Sequence, residues 1–178
     1  MNRSRKIAII ISLILGLFTF KTFSLGAGFQ VGLIPALDIN QDNIKLDDFE
    51  TNITGTIKLF RIPGTLGLGL NIGKENSLYL LGLAGFIDYW TIDYQIKNTW
   101  NIYSGCGIYS KFMVNSNSKF QISLGPRFFL GCNWLFVDNF IEFYTQITTI
   151  PTYVRNISDH TGFIRVNIPF ETGLRFHY

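Results

Sequence analysis

The chain is poor in the residues that chemistry and scaffolding need. It has two cysteines and two histidines in 178 residues. Two cysteines, Cys106 and Cys132, are too few for a disulfide framework, and their spacing fits no metal motif. A disulfide between them is possible but not favoured, because Cys106 falls mid-strand and Cys132 near a strand end. His160 and His177 stand too far apart for a metal site. The adjacent Ser158, Asp159 and His160 do not make a triad, since consecutive residues rarely converge as a triad requires. The acids Asp38, Asp42, Asp47, Asp48 and Glu50 lack ordered calcium-loop spacing and read as a solvated acidic loop. The residues therefore predict no enzyme, no metal and no cofactor.

Basic charge is scarce too, once its location is considered. The formal charge is +3, from 15 basic and 12 acidic residues. Arg3, Arg5, Lys6 and Lys21 all precede Ser24, with no acid among them. Beyond Ser24 the balance is 11 − 12 = −1. That leaves no electrostatic footprint for nucleic acid. The stretch up to Ser24 reads as a secretory signal: a basic start, the apolar run Ile7 to Phe20, and small residues around Ser24. The run from Ile7 to Phe20 is short against the roughly 20 residues a spanning helix needs. The expected organisation is a signal peptide over 1–24 and one domain over 25–178.

What the chain has in quantity is phenylalanine and glycine, 17 of each, set in segments of period two. From Trp100 to Phe112, one face carries Trp100, Ile102, Cys106, Ile108 and Phe112. The other carries Asn101, Tyr103, Gly105, Gly107, Tyr109 and Lys111. Lys119 to Trp134 repeats the pattern, with Phe128 and Leu130 opposed to Arg127 and Gly131. Ile141 and Phe143 oppose Glu142, and Ile164 to Tyr178 sets Leu174, Phe176 and Tyr178 against Arg165, Glu171, Arg175 and His177. Weaker strands fall at about 26–36, 53–60, 65–73 and 78–93, which makes eight.

Runs as long as 100–112 and 119–134 exceed the five or six positions usual in soluble strands and suit tilted membrane strands. Trp100 and Phe112, like Phe120 and Trp134, are spaced to reach two interfacial aromatic girdles roughly 30 Å apart. A sheet in lipid must close on itself. The predicted fold is thus all-β: an eight-stranded, antiparallel, up-and-down transmembrane barrel. Outer loops are expected at about 37–52, 74–77, 113–118 and 151–162, and inner turns near 61–64, 94–98 and 135–138.

Eight strands enclose a lumen that side chains fill. Its expected charges are Lys58, Asp88, Lys111, Arg127, Glu142, Arg165, Glu171 and Arg175, which must pair because isolated buried ions are costly. A structural salt-bridge network is the leading reading of them; a narrow gated channel is the alternative. Lipid covers the wall, so partner binding falls to the longest outer loops, with Asp42, Lys45, Asp47, Asp48, Arg155, Asp159 and His160 as candidates.

The Gly26-Ala27-Gly28-Phe29-Gln30-Val31-Gly32 opening, the Tyr103-Ser104-Gly105-Cys106-Gly107-Ile108-Tyr109 and Ser123-Leu124-Gly125-Pro126-Arg127 segments and the Glu171-to-Tyr178 ending carry a resemblance. The chain resembles small outer-membrane barrels of the OmpA/OmpX type, and more closely the OmpX-like family of Borrelia spirochaetes. His177 departs slightly from the Gly-aromatic ending of that family. The resemblance implies a non-enzymatic, surface-exposed protein of the bacterial outer membrane, some relatives of which bind host complement regulators such as factor H. Its partners would be outer-membrane lipid, the insertion machinery and extracellular proteins. Leu174, Phe176 and Tyr178 match the terminal signal that the insertion machinery reads. A channel or a purely structural envelope protein remains the alternative.

Overall fold

The computed structural model describes residues 25–40, 43–46, 49–59, 63–75, 78–97, 99–115, 120–158 and 160–178. The expected signal segment lies outside them, as do Asp42, Asp47, Asp48 and Asp159.

Among the described residues eleven strands follow in chain order: β1 (Leu25–Ile34), β2 (Ala36–Asn40), β3 (Asn43–Leu46), β4 (Glu50–Leu59), β5 (Gly64–Glu75), β6 (Leu78–Lys97), β7 (Trp100–Asn115), β8 (Phe120–Phe136), β9 (Ile141–Asn156), β10 (Gly162–Asn167) and β11 (Phe170–His177). They form eight barrel strands. Pro35 separates β1 from β2, and Pro169 lies between β10 and β11; proline has no N–H to give the ladder, so pairing lapses there. Their carbonyls still accept: Ile168 N–H donates to Pro35 at 3.0 Å and Thr148 N–H to Pro169 at 2.9 Å. β3 and β4 are counted together as the second barrel strand.

All pairing is antiparallel, and β11 bonds to β9 on one side and β1 on the other, which closes the barrel. At the seam, Tyr178 N–H donates to the Leu25 carbonyl at 3.0 Å. Following partners around the wall from Trp100 through Trp134, Phe143, Leu174, Phe29, Gly55, Leu68 and Gly85 returns to β7 at Ser110 rather than at Trp100. Eight strands with that stagger tilt by about 40° to the axis. Along such strands, the climb from Trp100 to Phe112 is roughly 30 Å.

Alternation sorts the side chains. Phe29, Leu33, Ile53, Leu68, Leu83, Ile108, Phe128 and Ile147 project outward, exposed, while Gln30, Asn52, Lys58, Asp88, Lys111, Arg127 and Gln146 are buried inside. Large inner rings are accommodated by glycine directly across the ladder: Tyr103 faces Gly131 and Tyr144 faces Gly173. A Cβ at either glycine would sit 2.6 Å from the tyrosine hydroxyl, so these positions need glycine for close approach rather than for conformation.

The structure corrects the loop lengths. The expected 37–52 loop is largely wall, since β2 and β3 occupy much of it and β4 begins at Glu50. β9 runs to Asn156 and β10 starts at Gly162, which reduces the expected 151–162 loop to 157–161. β6 continues to Lys97 through register shifts at Trp90/Ile92 and Gln95/Lys97, so the expected 94–98 turn is mostly strand. The third inner turn falls at 137–140 rather than 135–138 and carries three positive φ angles, at Val137, Asp138 and Asn139. Polar residues on a lumenal face belong to the wall as fully as apolar ones on the lipid face, and reading them as loop shortens every strand.

Candidate functional site: lumen and outer rim

The strands bring the lumenal charges into three clusters. Nearest the termini, Glu142 is fully buried and receives Lys58 Nζ at 3.1 Å and Arg175 Nη1 at 3.4 Å. His177 Nε2 lies 3.0 Å from the same carboxylate, and Asn133 Nδ2 donates to it at 2.5 Å. In the middle, Arg127 joins two acids: its Nη2 lies 2.6 Å from Glu171 and its Nε 3.0 Å from Asp88. Glu171 also accepts from Gln146 at 2.6 Å, Gln30 at 3.1 Å and Thr148 at 3.1 Å. Toward the other rim, Glu50 accepts from Lys111 at 2.8 Å and Asn71 at 3.3 Å, with Arg165 Nη1 at 3.7 Å.

Two of these participants fall outside the charge set read from the sequence. Glu50 belongs to the lumen at 2 % exposure, which corrects its reading as part of a solvated acidic loop. Its signal was available: Glu50, Asn52, Thr54, Thr56 and Lys58 share parity along one strand. His177 is lumenal, beside Glu142.

Rings complete the packing. Lys58 Nζ sits 3.8 Å above the Trp90 ring, Arg127 4.2 Å over Phe86 and Arg175 3.7 Å over Tyr144. Trp90 and Tyr103 stack at 4.1 Å. Among the described residues the lumen holds four acids (Glu50, Asp88, Glu142, Glu171) against five bases (Lys58, Lys111, Arg127, Arg165, Arg175). A nearly balanced, interlocked set at contact distance is an internal brace. Such pairs add little net stability, but each carboxylate is indispensable to its cations.

On the outside, aromatic residues mark two levels. Trp100 packs edge-on against Trp134 at 4.2 Å, and Phe140 contacts both Phe176 at 6.0 Å and Tyr178 at 5.9 Å. Toward the opposite end Phe112 stacks on Phe120 at 5.7 Å. Even-stranded barrels with an apolar band between two such girdles span outer membranes. Wall polars are satisfied locally: Thr172 Oγ1 donates to the Tyr144 carbonyl at 3.1 Å. Cys106 is exposed on the wall and Cys132 half-buried; both are free thiols.

The fold is that of a small outer-membrane β-barrel. Neisserial surface protein A superposes with a TM-score of 0.59 at 12% identity, over 85% of this chain and 97% of that one. Ail, the attachment invasion locus protein of Yersinia pestis, in complex with the heparin analogue sucrose octasulfate, matches at 0.44 and 11% identity, over 86% and 98% of the two chains. The outer membrane protease OmpT of Escherichia coli matches at 0.34 and 8% identity, over 87% and 97%. No family model and no curated protein sequence matches the chain.

The rim opposite the termini holds what remains of the barrel's candidate binding residues. Arg155 is exposed near the end of β9, and His160 is exposed in the following link at φ 54°. Lys45 lies in β3. Asn156 Nδ2 bonds to Thr161 Oγ1 at 3.1 Å and Asn156 N–H to the Thr161 carbonyl at 2.9 Å, which pins both ends of that link.

Proposed function

We propose that this barrel is a surface-exposed, non-enzymatic outer-membrane protein whose rim binds partners outside the cell. The interlocked lumen carries the reading: with charges filling the inside and apolar residues covering the outside, the rim is the one face left to meet a soluble partner. Arg155, His160 and the exposed Ile157 present a mixed basic and apolar edge there. The resemblance to the OmpX-like family of Borrelia makes complement regulators such as factor H the first partners to try. We read residues 1–24 as a cleaved export signal, and Leu174, Phe176 and Tyr178 as the segment the insertion machinery recognises.

Replacement of 157–161 by a Gly-Ser link of equal length tests the proposal on intact cells incubated with serum. The expected result is capture of a serum protein by the parent and its loss in the variant, with the heat-modifiable gel shift of the folded barrel retained. Failure of the parent to capture any serum protein would remove the binding reading. Discrete conductance steps in planar bilayers would favour a channel instead.

A further inference from the structure

The inward glycines of the wall have a visible purpose. Gly67 leaves room for the Phe86 ring, as Gly131 and Gly173 do for Tyr103 and Tyr144. Gly55 has no such purpose. It points outward from β4 and is exposed. Its φ is not positive, so its backbone conformation is open to any residue. A Cβ there would meet nothing nearer than the Leu68 carbonyl at 3.7 Å. Glycine weakens the interior of a strand and marks places where a ligand or another backbone comes close. Among the described residues, none makes that approach to Gly55.

The missing side chain opens a hollow of about 410 Å³ in the outer face of the wall, between Ala27 of β1, Ile57 of β4 and Leu66 and Leu68 of β5. Its floor is the backbone of Gly28, Thr56 and Gly67, which pair in one row across the three strands. Thr56 turns its hydroxyl into the lumen, where it accepts from Arg175 Nε at 3.3 Å. The hollow therefore offers only apolar surface, at a volume typical of small-ligand sites.

Its depth decides what can fill it. On the path of partners from Trp100 to Ser110, Gly55 is the fifth of eight steps. That places it near the middle of the roughly 30 Å between the girdles. Ala27 lies lower, two positions from Leu25 at the closing seam. The hollow thus runs from mid-bilayer toward the side of the termini, as a continuation of the lipid-facing wall, where hydrocarbon is the surrounding medium.

A second hollow of similar volume lies higher, beside Val31, Leu33, Ile53 and Phe170. Thr51 and Thr172 line it too, and their hydroxyls donate to the carbonyls of Ile72 at 3.3 Å and Tyr144 at 3.1 Å. Those side chains serve the wall itself. Gly55 serves only the space outside it.

We propose that the hollow at Gly55 is a binding site for one acyl chain of a phospholipid in the leaflet on the side of the termini, held there while the neighbouring lipids exchange. The end of the chain lies over Gly55, flanked by Leu68 and Ile57, and its glycerol end passes Ala27 toward the headgroups. Packing alone selects it, because lipid and wall are equally apolar and only added contacts distinguish this position from the rest of the face. This lipid site is separate from recognition at the rim.

The test uses the full barrel in phosphatidylcholine vesicles in which a fraction of the lipid carries a diazirine near the methyl end of one acyl chain, photolysed and mapped by peptide mass spectrometry. Ile57, Leu66 or Leu68 should be labelled about fivefold above Phe128 and Ile147, outward residues at similar depth elsewhere on the wall, as expected for a chain contacted on three sides instead of one. Gly55→Leu fills the hollow and should bring that labelling down to the level of Phe128 and Ile147, with the heat-modifiable gel shift retained. Gly85→Leu adds the same side chain on the far side of Leu68, at a position that also meets nothing nearer than 3.5 Å and lies outside the hollow, and should leave the pattern unchanged. Lining residues labelled no more than Phe128 and Ile147 in the parent protein overturn the proposal whether or not the variants fold. Enrichment that survives in a folded Gly55→Leu barrel overturns the hollow as its cause. Photoleucine in place of Leu68 that crosslinks to a second barrel rather than to lipid would make another copy of this chain the occupant and overturn the lipid.

Discussion

The two faces of the same strands obey opposite rules. On the outer face Leu68 is 69% exposed and Ile108 63%, with no partner beyond lipid; on the inner face Arg127 is 1% exposed and held by two carboxylates. The outer face tolerates exchange of one apolar side chain for another, because its environment is a fluid. The inner face is a fixed arrangement in which each group is answerable to named neighbours. Insertion depends on the first face and uniqueness of the packed structure on the second.

Deletion of Phe176, His177 and Tyr178 tests both faces at once, since it removes outward rings and an inward histidine. The expected outcome is the largest of all: exported protein that fails to insert, recovered in the soluble periplasmic fraction. Surface loops that remained protease-accessible would count against Leu174, Phe176 and Tyr178 as an insertion signal. Next in size is Glu142→Ala. It leaves Lys58 and Arg175 buried without their shared carboxylate, at a cost of about 3–5 kcal/mol. The midpoint of the heat-modifiable gel shift should fall by about 10 °C; an unchanged midpoint would mean the terminal-side cluster carries no stability. Leu68→Arg places a charge on the lipid face near mid-wall and should cost about 2–4 kcal/mol in folding free energy measured in vesicles. If that figure exceeded the Glu142→Ala cost, the outer face would be the more exacting of the two.

Much of the wall was legible in the sequence, because period two is a local property. The parity of Trp100 to Phe112 and of Ile164 to Tyr178 is visible without knowing any partner. The lumenal residues Lys58, Arg127, Glu142 and Glu171 lie on the polar parity of their strands for the same reason. Glu50 was legible as lumenal only through its strand: it stands beside Asp47 and Asp48, and a run of acids resembles a loop until the shared parity of Asn52, Thr54 and Lys58 is counted with it. The short links were hidden likewise, since Pro35 and Pro151 look like strand breakers, whereas a barrel absorbs them by giving up one or two bonds. Which cation answers which carboxylate depends on the stagger accumulated around the wall. No single segment contains that information.

Among the described residues the strands run close to the outer rim. Asn40 and Asn43 bound one link of the outer rim, Glu75 and Leu78 another, and Asn156 and Gly162 a third, while the upper rings Phe112 and Phe120 lie only a short way below. The wall between the two girdles therefore stands about as tall as the bilayer that holds it. A partner of the proposed rim would have to come down to the headgroup plane to touch it, and there it would compete with bulky neighbours for room. Access in such a position is governed by how crowded the cell surface is, so the same protein can be hidden or displayed without any change in its own shape.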